Sequence, residues 1–188
     1  MATIIFDFDD TLFDTQLLKE KIFNKLIENG ISDNIIHKSY KDSQKILGIY
    51  SPNNHIKVLK DLYNIDIGEN LNDWITNLNL EHHIFPEVND LLKNLSSKHH
   101  LVLLTLGDQD FQKFKIDQSQ ISDYFNEIHI IDYDKELFLK ELDSEHEIYF
   151  VNDKESENES IRNNFPNLNI IKKEHGKPLQ LPMHLYSE

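Results

Sequence analysis

Cysteine is absent from the 188 residues. That one fact excludes disulfides, thiolate metal ligands, zinc ribbons and cysteine nucleophiles. Positive charge is scarce: 19 Lys and Arg face 33 Asp and Glu, the formal net charge is −14, and Arg162 is the single arginine. Such a balance argues against nucleic acid or an anionic membrane as partner, because neutralising phosphates takes clustered Lys and Arg. A small phosphorylated substrate remains compatible with it, since a bound metal and a few local lysines reverse the sign of one pocket. Long apolar runs are missing too: none approaches the ~20 residues of a membrane-spanning helix. The amino terminus has no basic segment leading into an apolar one, so it does not read as a signal peptide. These absences set the expectation of a cytoplasmic protein. There is no internal repeat and no low-complexity linker.

What is present suits one substantial domain, or a core with a modest insertion. The hydrophobic fraction is 39%, enough for a packed core, and the negative mean hydropathy indicates a well-solvated surface. The stretch Thr3-Ile4-Ile5-Phe6-Asp7-Phe8-Asp9-Asp10-Thr11-Leu12 is a short apolar run that ends in three carboxylates and a hydroxyl. Its β-branched and aromatic content suits a buried parallel strand with Asp7 at the carboxyl end. In open α/β sheets ligands bind at that edge. Asp7 and Asp9 lie two residues apart, so in extended chain both carboxylates point the same way and repel. A cation between them would relieve this, and hard oxygen ligands suit Mg²⁺.

From Asp14 or Thr15 to Asn29 the apolar spacing predicts a helix, and three more helical patterns follow, from about Asp33, Ser51 and Asn70. Trp74, Tyr63 and Leu71 read as the core of this part. Residues 16–82 thus form a helical insertion of about four short helices, leaving 1–15 and 83–188 as the α/β core. The segments near Thr15 and His83 to Phe85 are its hinges. Beyond Pro86, placed in the first turn of a helix, strand and helix alternate as in βαβ units, with apolar strand runs at 101–105, 127–131, 147–151 and 168–171. The last residues, from Gly176, read as a tail packed over the core or loosely ordered.

Strand ends in this half deliver chemistry to the Asp7 edge. Thr105-Leu106-Gly107 supplies a hydroxyl, a glycine permitting close approach, and a helix start whose free N–H groups favour an anion. With Thr11 these are the candidate substrate-binding residues. The pairs His82-His83 and His99-His100 read as surface loops, because adjacent residues point in different directions and no second cluster sits at ligand spacing.

Ile4-Ile5-Phe6-Asp7-Phe8-Asp9-Asp10-Thr11-Leu12-Phe13-Asp14-Thr15 resembles the first signature of the haloacid dehalogenase superfamily of phosphohydrolases. Thr105-Leu106-Gly107 resembles its second motif, and Asn152-Asp153 its fourth, with Asn152 where Gly or Asp is usual. The resemblance implies a doubly wound α/β fold with a helical cap inserted after the first strand. It further implies a Mg²⁺-dependent phosphatase acting on a small phosphate ester. Asp7 would be the nucleophile forming an aspartyl-phosphate, and Asp9 the general acid and base, with a pKa nearer neutrality than a free Asp. Lys135, in competition with Lys115 and Lys140, would be the charge-neutralising lysine. Asp7, Asp9 through its backbone carbonyl, Asp153 and, at the shorter of two family spacings, Glu157 would form the metal set. Asp9 speaks against a haloalkanoate dehalogenase, since relatives that attack carbon need no such acid. A phosphomutase and a degenerate member binding a phosphorylated ligand or a protein without turnover are the alternatives. Nothing in the sequence sets the oligomeric state.

Overall fold

Strand β1 (Thr3–Phe6) lies at the centre of a five-stranded, wholly parallel sheet with β2 (His100–Leu106), β3 (Glu127–Ile131), β4 (Ile148–Asn152) and β5 (Asn169–Lys172), in the order β3-β2-β1-β4-β5. The structure is a computed structural model and describes residues 1–68, 70–142 and 147–186. The expected strand runs all pair, displaced by no more than a residue at either end. Alternation along the strands serves two cores. Ile4, Phe6, Leu101, Leu103, Tyr149 and Val151 face one, and Ile5, Val102, Leu104 and Phe150 the other, which accounts for apolar runs without polar interruption.

Between β1 and β2 the chain runs through α1 (Thr15–Glu28), α2 (Asp33–Leu47), α3 (Pro52–Tyr63) and α4 (Asn70–Thr76), the helical insert after the first strand. Asp14 caps α1 by accepting from the Leu17 N–H, and Ser51 caps α3 by accepting from Asn54, with Pro52 at the first helical position. The two connectors to the core are bonded to each other: Asp14 N–H donates to the His83 carbonyl (2.7 Å) and Phe85 N–H to that of Leu12 (3.0 Å).

The core helices are α5 (Val88–Ser96), α6 (Gln109–Ser119), α7 (Lys135–Lys140) and α8 (Glu155–Asn164). Residues of α5 and α6 pack on the Phe6 face, and Leu139 of α7 and Ile161 of α8 on the Ile5 face. Pro86 stands in the turn before α5 rather than inside the helix. The tail is packed: Leu179, Leu181 and Leu185 are buried, and His99 accepts from the Ala2 N–H while its other ring nitrogen meets the Leu185 carbonyl.

The histidine pairs depart from the surface-loop expectation. His83 is fully buried and its ring lies flat on Phe13, 5.4 Å between centroids, because the connector folds back against the start of the insert. His100 opens β2 and pairs with Glu127. Among the described residues no helix is long and apolar enough to cross a membrane.

Candidate active site

β1 stops at Phe6, and the next residues turn sharply. The Phe8 carbonyl accepts from the N–H groups of Leu12 and Phe13, and Asp10 takes a left-handed conformation, φ 57°, which Asp tolerates better than most residues. This turn gathers Asp7, Asp9, Asp10 and Thr11 at the carboxyl edge. Asp7 N–H still donates to Val151 of β4 (2.9 Å), so the nucleophile candidate is pinned to the sheet where the strand order reverses.

Asp7 is buried and its Oδ1 lies 2.6 Å from Lys135 Nζ. Asp134 caps α7, which puts Lys135 at the first helical position with its side chain running back under the strand ends. Burial alone would drive the lysine's pKa down, but Asp7 and Glu157 (3.2 Å) outweigh it and hold it up as an ammonium. Asp7 itself is raised by burial, offset by Lys135 and reinforced by the charges of Asp9 and Glu157.

Asp9 has a separate lysine. Its Oδ1 takes Lys115 Nζ at 2.5 Å and the Thr15 hydroxyl at 2.6 Å, while Oδ2 accepts from Gln112 Nε2 at 2.7 Å. Burial pushes its pKa up, yet Lys115, Thr15 and Gln112 more than cancel that and hold it below the ordinary value. The expectation of a pKa nearer neutrality is therefore reversed in this conformation, because three donors stabilise the carboxylate. Each aspartate has its own ammonium, Lys135 sent by α7 and Lys115 by α6. Lys140 is exposed and takes no part.

Gln112 is the residue that sequence reasoning missed. It is buried, and Nε2 also reaches the Thr105 hydroxyl (2.7 Å) and the Leu106 carbonyl (3.1 Å), while its Oε1 has no hydrogen-bond partner among the described residues. The signal was its spacing three residues before Lys115 on one face of α6. It also explains Gly107: a Cβ there would meet the Gln112 side chain at 2.6 to 2.8 Å, so the glycine makes room for the glutamine. Thr105 accepts from Gln112 and keeps its own proton to donate.

Thr11, expected to touch substrate, is fully buried and serves the carboxylates instead. Its hydroxyl is 3.2 Å from Asp7 Oδ2 and 3.5 Å from Asp153 Oδ1, and it accepts from the Asp153 N–H at 3.1 Å. Asp153 follows β4, and burial together with Asp7 and Asp10 pushes its pKa up to about 6. Two carboxylates that resist ionisation beside one another fit a hard divalent cation, whose charge would remove the penalty. Among the described residues no group of three or more Asp, Glu, His or Cys side chains converges on one point. A metal here would draw its further ligands from main-chain, water or substrate oxygens.

Glu157, expected in that metal set, has its oxygens committed elsewhere. Oε2 faces Lys135 and Asn152 (3.3 Å), Oε1 faces Lys154 at 2.5 Å, and despite burial these cations lower its pKa. In this arrangement it steadies Lys135. Asn152 fits its unusual place through Asn158, each amide donating to the other residue's oxygen at 3.1 and 3.2 Å.

Asp9, Gln112 and Lys115 open onto a cavity of about 230 Å³ between α6 and the first two helices of the insert, where Leu18, Lys19, Ile22, Tyr40, Tyr50 and Phe111 complete the wall. Asp9 on the cavity wall, Thr105 joined to it through Gln112 with a proton free to donate, and the buried Asp7 pinned on a lysine, the last two outside the lining, form a constellation suited to nucleophilic displacement with proton transfer.

Residues 1–154 match the family model of the haloacid dehalogenase-like hydrolases. No curated protein is similar enough in sequence to be matched. A haloacid dehalogenase-like hydrolase of Burkholderia xenovorans superposes with a TM-score of 0.78 at 18% identity, over 91% of this chain and 83% of that one. YfnB of Bacillus subtilis, a HAD-hydrolase solved bound to magnesium, gives 0.58 at 18% identity over 96% and 90%. L-2-haloacid dehalogenase of Xanthobacter autotrophicus gives 0.60 at 16% identity over 92% and 77%. At such identities the likeness to these structures is one of fold.

Proposed function

The chain belongs to the haloacid dehalogenase-like hydrolases, and from that premise we propose that it is a phosphohydrolase which takes a small phosphate monoester through a phosphorylated Asp7. One Asp7 oxygen attacks phosphorus, the ester P–O bond breaks, and the departing alcohol oxygen takes a proton from Asp9. Water then attacks the phosphoryl group, gives its proton to Asp9, and the P–O bond to Asp7 breaks to release inorganic phosphate. Lys135 and Thr105 offset and hold the phosphoryl oxygens.

The carboxylates of Asp7 and Asp153, with the main-chain carbonyl of Asp9, would hold Mg²⁺. When bound, that ion supplies charge neutralisation for the phosphoryl group. The ion-paired Asp9 is ready for the base half of the cycle. Its acid half requires the Lys115 contact to loosen as substrate enters.

The observation carrying this reading is the placement of Asp9, a carboxylate lining the cavity, 28% exposed, two residues from the buried Asp7. A proton donor there serves an alkoxide leaving group and has no task in displacing halide. The test is hydrolysis of an aryl phosphate with added Mg²⁺, with EDTA, and with Mg²⁺ restored. Activity should vanish and return. Absence of turnover across a broad panel of esters with Mg²⁺ would favour a binding protein that has lost catalysis.

A further inference from the structure

Resting on the phosphohydrolase reading, we propose that Lys19 is a specificity residue, and that the natural substrate is a phosphate ester whose alcohol part carries a second anionic group a few carbons from the ester oxygen. The α1 residues Thr15, Leu18, Lys19 and Ile22 form one helical stripe along the cavity wall. Thr15 at its start is hydrogen-bonded to Asp9, so Lys19 stands one turn further, about 6 Å along the axis, from the group that meets the leaving oxygen.

Lys19 differs from the other ammoniums of the site. Lys115 and Lys135 are each neutralised by an aspartate. Among the described residues Lys19 has no carboxylate partner and no hydrogen bond; its Nζ lies 4.5 Å from the centroid of the Tyr40 ring and 5.6 Å from that of Phe23. Ring faces orient an ammonium without cancelling its charge. In a chain with 33 acidic residues and 19 basic ones, an uncompensated cation on the wall of a cavity is a binding group for an anion. No arginine occurs in the insert to share the task, since Arg162 lies in α8 and pairs with Glu155.

The remaining wall limits the size and polarity of the ligand. Leu18, Ile22, Tyr50 and Phe111 are apolar surfaces, and Tyr50 is oriented by its hydroxyl against buried His55 (3.4 Å). About 230 Å³ falls below the roughly 300–1,000 Å³ of sites for drug-sized ligands, which favours a short spacer over a nucleoside or a polymer. A carboxylate and a second phosphate share the chemistry that Lys19 would recognise.

The experiment compares kcat/KM of the wild type for three alkyl phosphates of one chain length, ending in a carboxylate, in the matching carboxamide and in a second phosphate, alongside an aryl phosphate. The same series is run on Lys19→Gln and Lys19→Arg. The wild type should prefer an anionic ester over the carboxamide by roughly five- to tenfold; Lys19→Gln should bring that ratio to about one, and Lys19→Arg should retain it. Whichever anionic ester shows the larger ratio identifies the second group. Equal use of carboxylate and carboxamide by the wild type, or a preference that survives in Lys19→Gln, overturns the role of Lys19 while the phosphohydrolase reading stands. Failure of the wild type to hydrolyse any of the esters, the aryl phosphate included, brings down that reading and this inference with it.

Discussion

Two aspartate–lysine pairs stand at the end of β1, Asp7 with Lys135 at 2.6 Å and Asp9 with Lys115 at 2.5 Å, and their surroundings differ. In the first, both side chains are 7% exposed and the lysine is held from behind by Glu157. In the second, the lysine is buried among the rings of Phe8, Phe13 and Phe111, while its aspartate faces the cavity and bonds Thr15, the first residue of α1. One pair is a fixed platform closed off by the core. The other is a contact shared by the sheet-end turn, a core helix and the insert, and a ligand in the cavity would compete for it. That division suits a nucleophile, which must not move, and an acid–base group, which must exchange partners within each cycle.

The sharpest way to break the comparison is Asp7→Asn, which removes the proposed nucleophile but keeps its shape. Turnover of every phosphate ester should fall by roughly 10⁴-fold or more, as for nucleophile removal elsewhere, with the circular dichroism spectrum unchanged. Activity within tenfold of wild type would remove Asp7 from the chemistry. Asp9→Asn should cost less, about 10²- to 10⁴-fold in kcat, and unequally: an alkyl phosphate needs the proton more than nitrophenyl phosphate does. Equal losses on both esters would make Asp9 a second platform, and the contrast would collapse.

Parts of this arrangement were legible before any coordinates because they are strand-terminal. Apolar runs mark strands, parallel strands collect their carboxyl ends, and Asp7 and Asp153 come just after such strands, Thr105 near the end of one, and Lys135 at the start of the helix that follows another. What stayed hidden depends on where long side chains reach. Spacing could not tell whether Glu157 meets a metal or a lysine, since that turns on the path of Lys135. Lys115 and Lys135 competed for one role only because the sequence does not show that each aspartate has its own lysine. The pattern shows Gly107 as a glycine permitting close backbone approach and does not show that it also makes room for Gln112. His83 is buried by Phe13, seventy positions away in the chain, which no local pattern encodes.

Removing the lysine of the second pair sharpens the contrast at intermediate cost. Lys115→Met keeps the stem among the three rings but deletes the charge that most lowers the Asp9 pKa. The Asp9 pKa should rise, so the protonated, acid-competent form persists to higher pH. The alkaline limb of kcat/KM for an alkyl phosphate should then move to higher pH. A limb that stays in place would mean that another group sets it.

The smallest effect concerns what stands behind that aromatic box, where Phe13 stacks on His83. Both ring nitrogens of His83 are buried, and the Leu80 backbone and Asp14 only partly favour its charged form, so the imidazole contributes shape and carries a cost in desolvation. Burial, aided by the charge of Lys21, lowers its pKa from 6.5 to about 4. The unfolded chain therefore binds a proton in the interval between those values that the folded chain refuses. The stability contribution is intact above the unfolded pKa and is lost as pH falls through 6.5 toward 4. His83→Phe keeps a flat ring on Phe13 and deletes this linkage. At pH 7.5 its urea midpoint should match the wild type or exceed it by no more than about 1 kcal/mol in stability. At pH 5 the gain should widen to roughly 2 kcal/mol, with the remaining acid sensitivity coming in part from His55, whose pKa burial also lowers to about 4. A variant whose stability falls between pH 7.5 and 5 as steeply as the wild type's would show that His83 is protonated in the folded state, and that the ring behind Lys115 is charged after all.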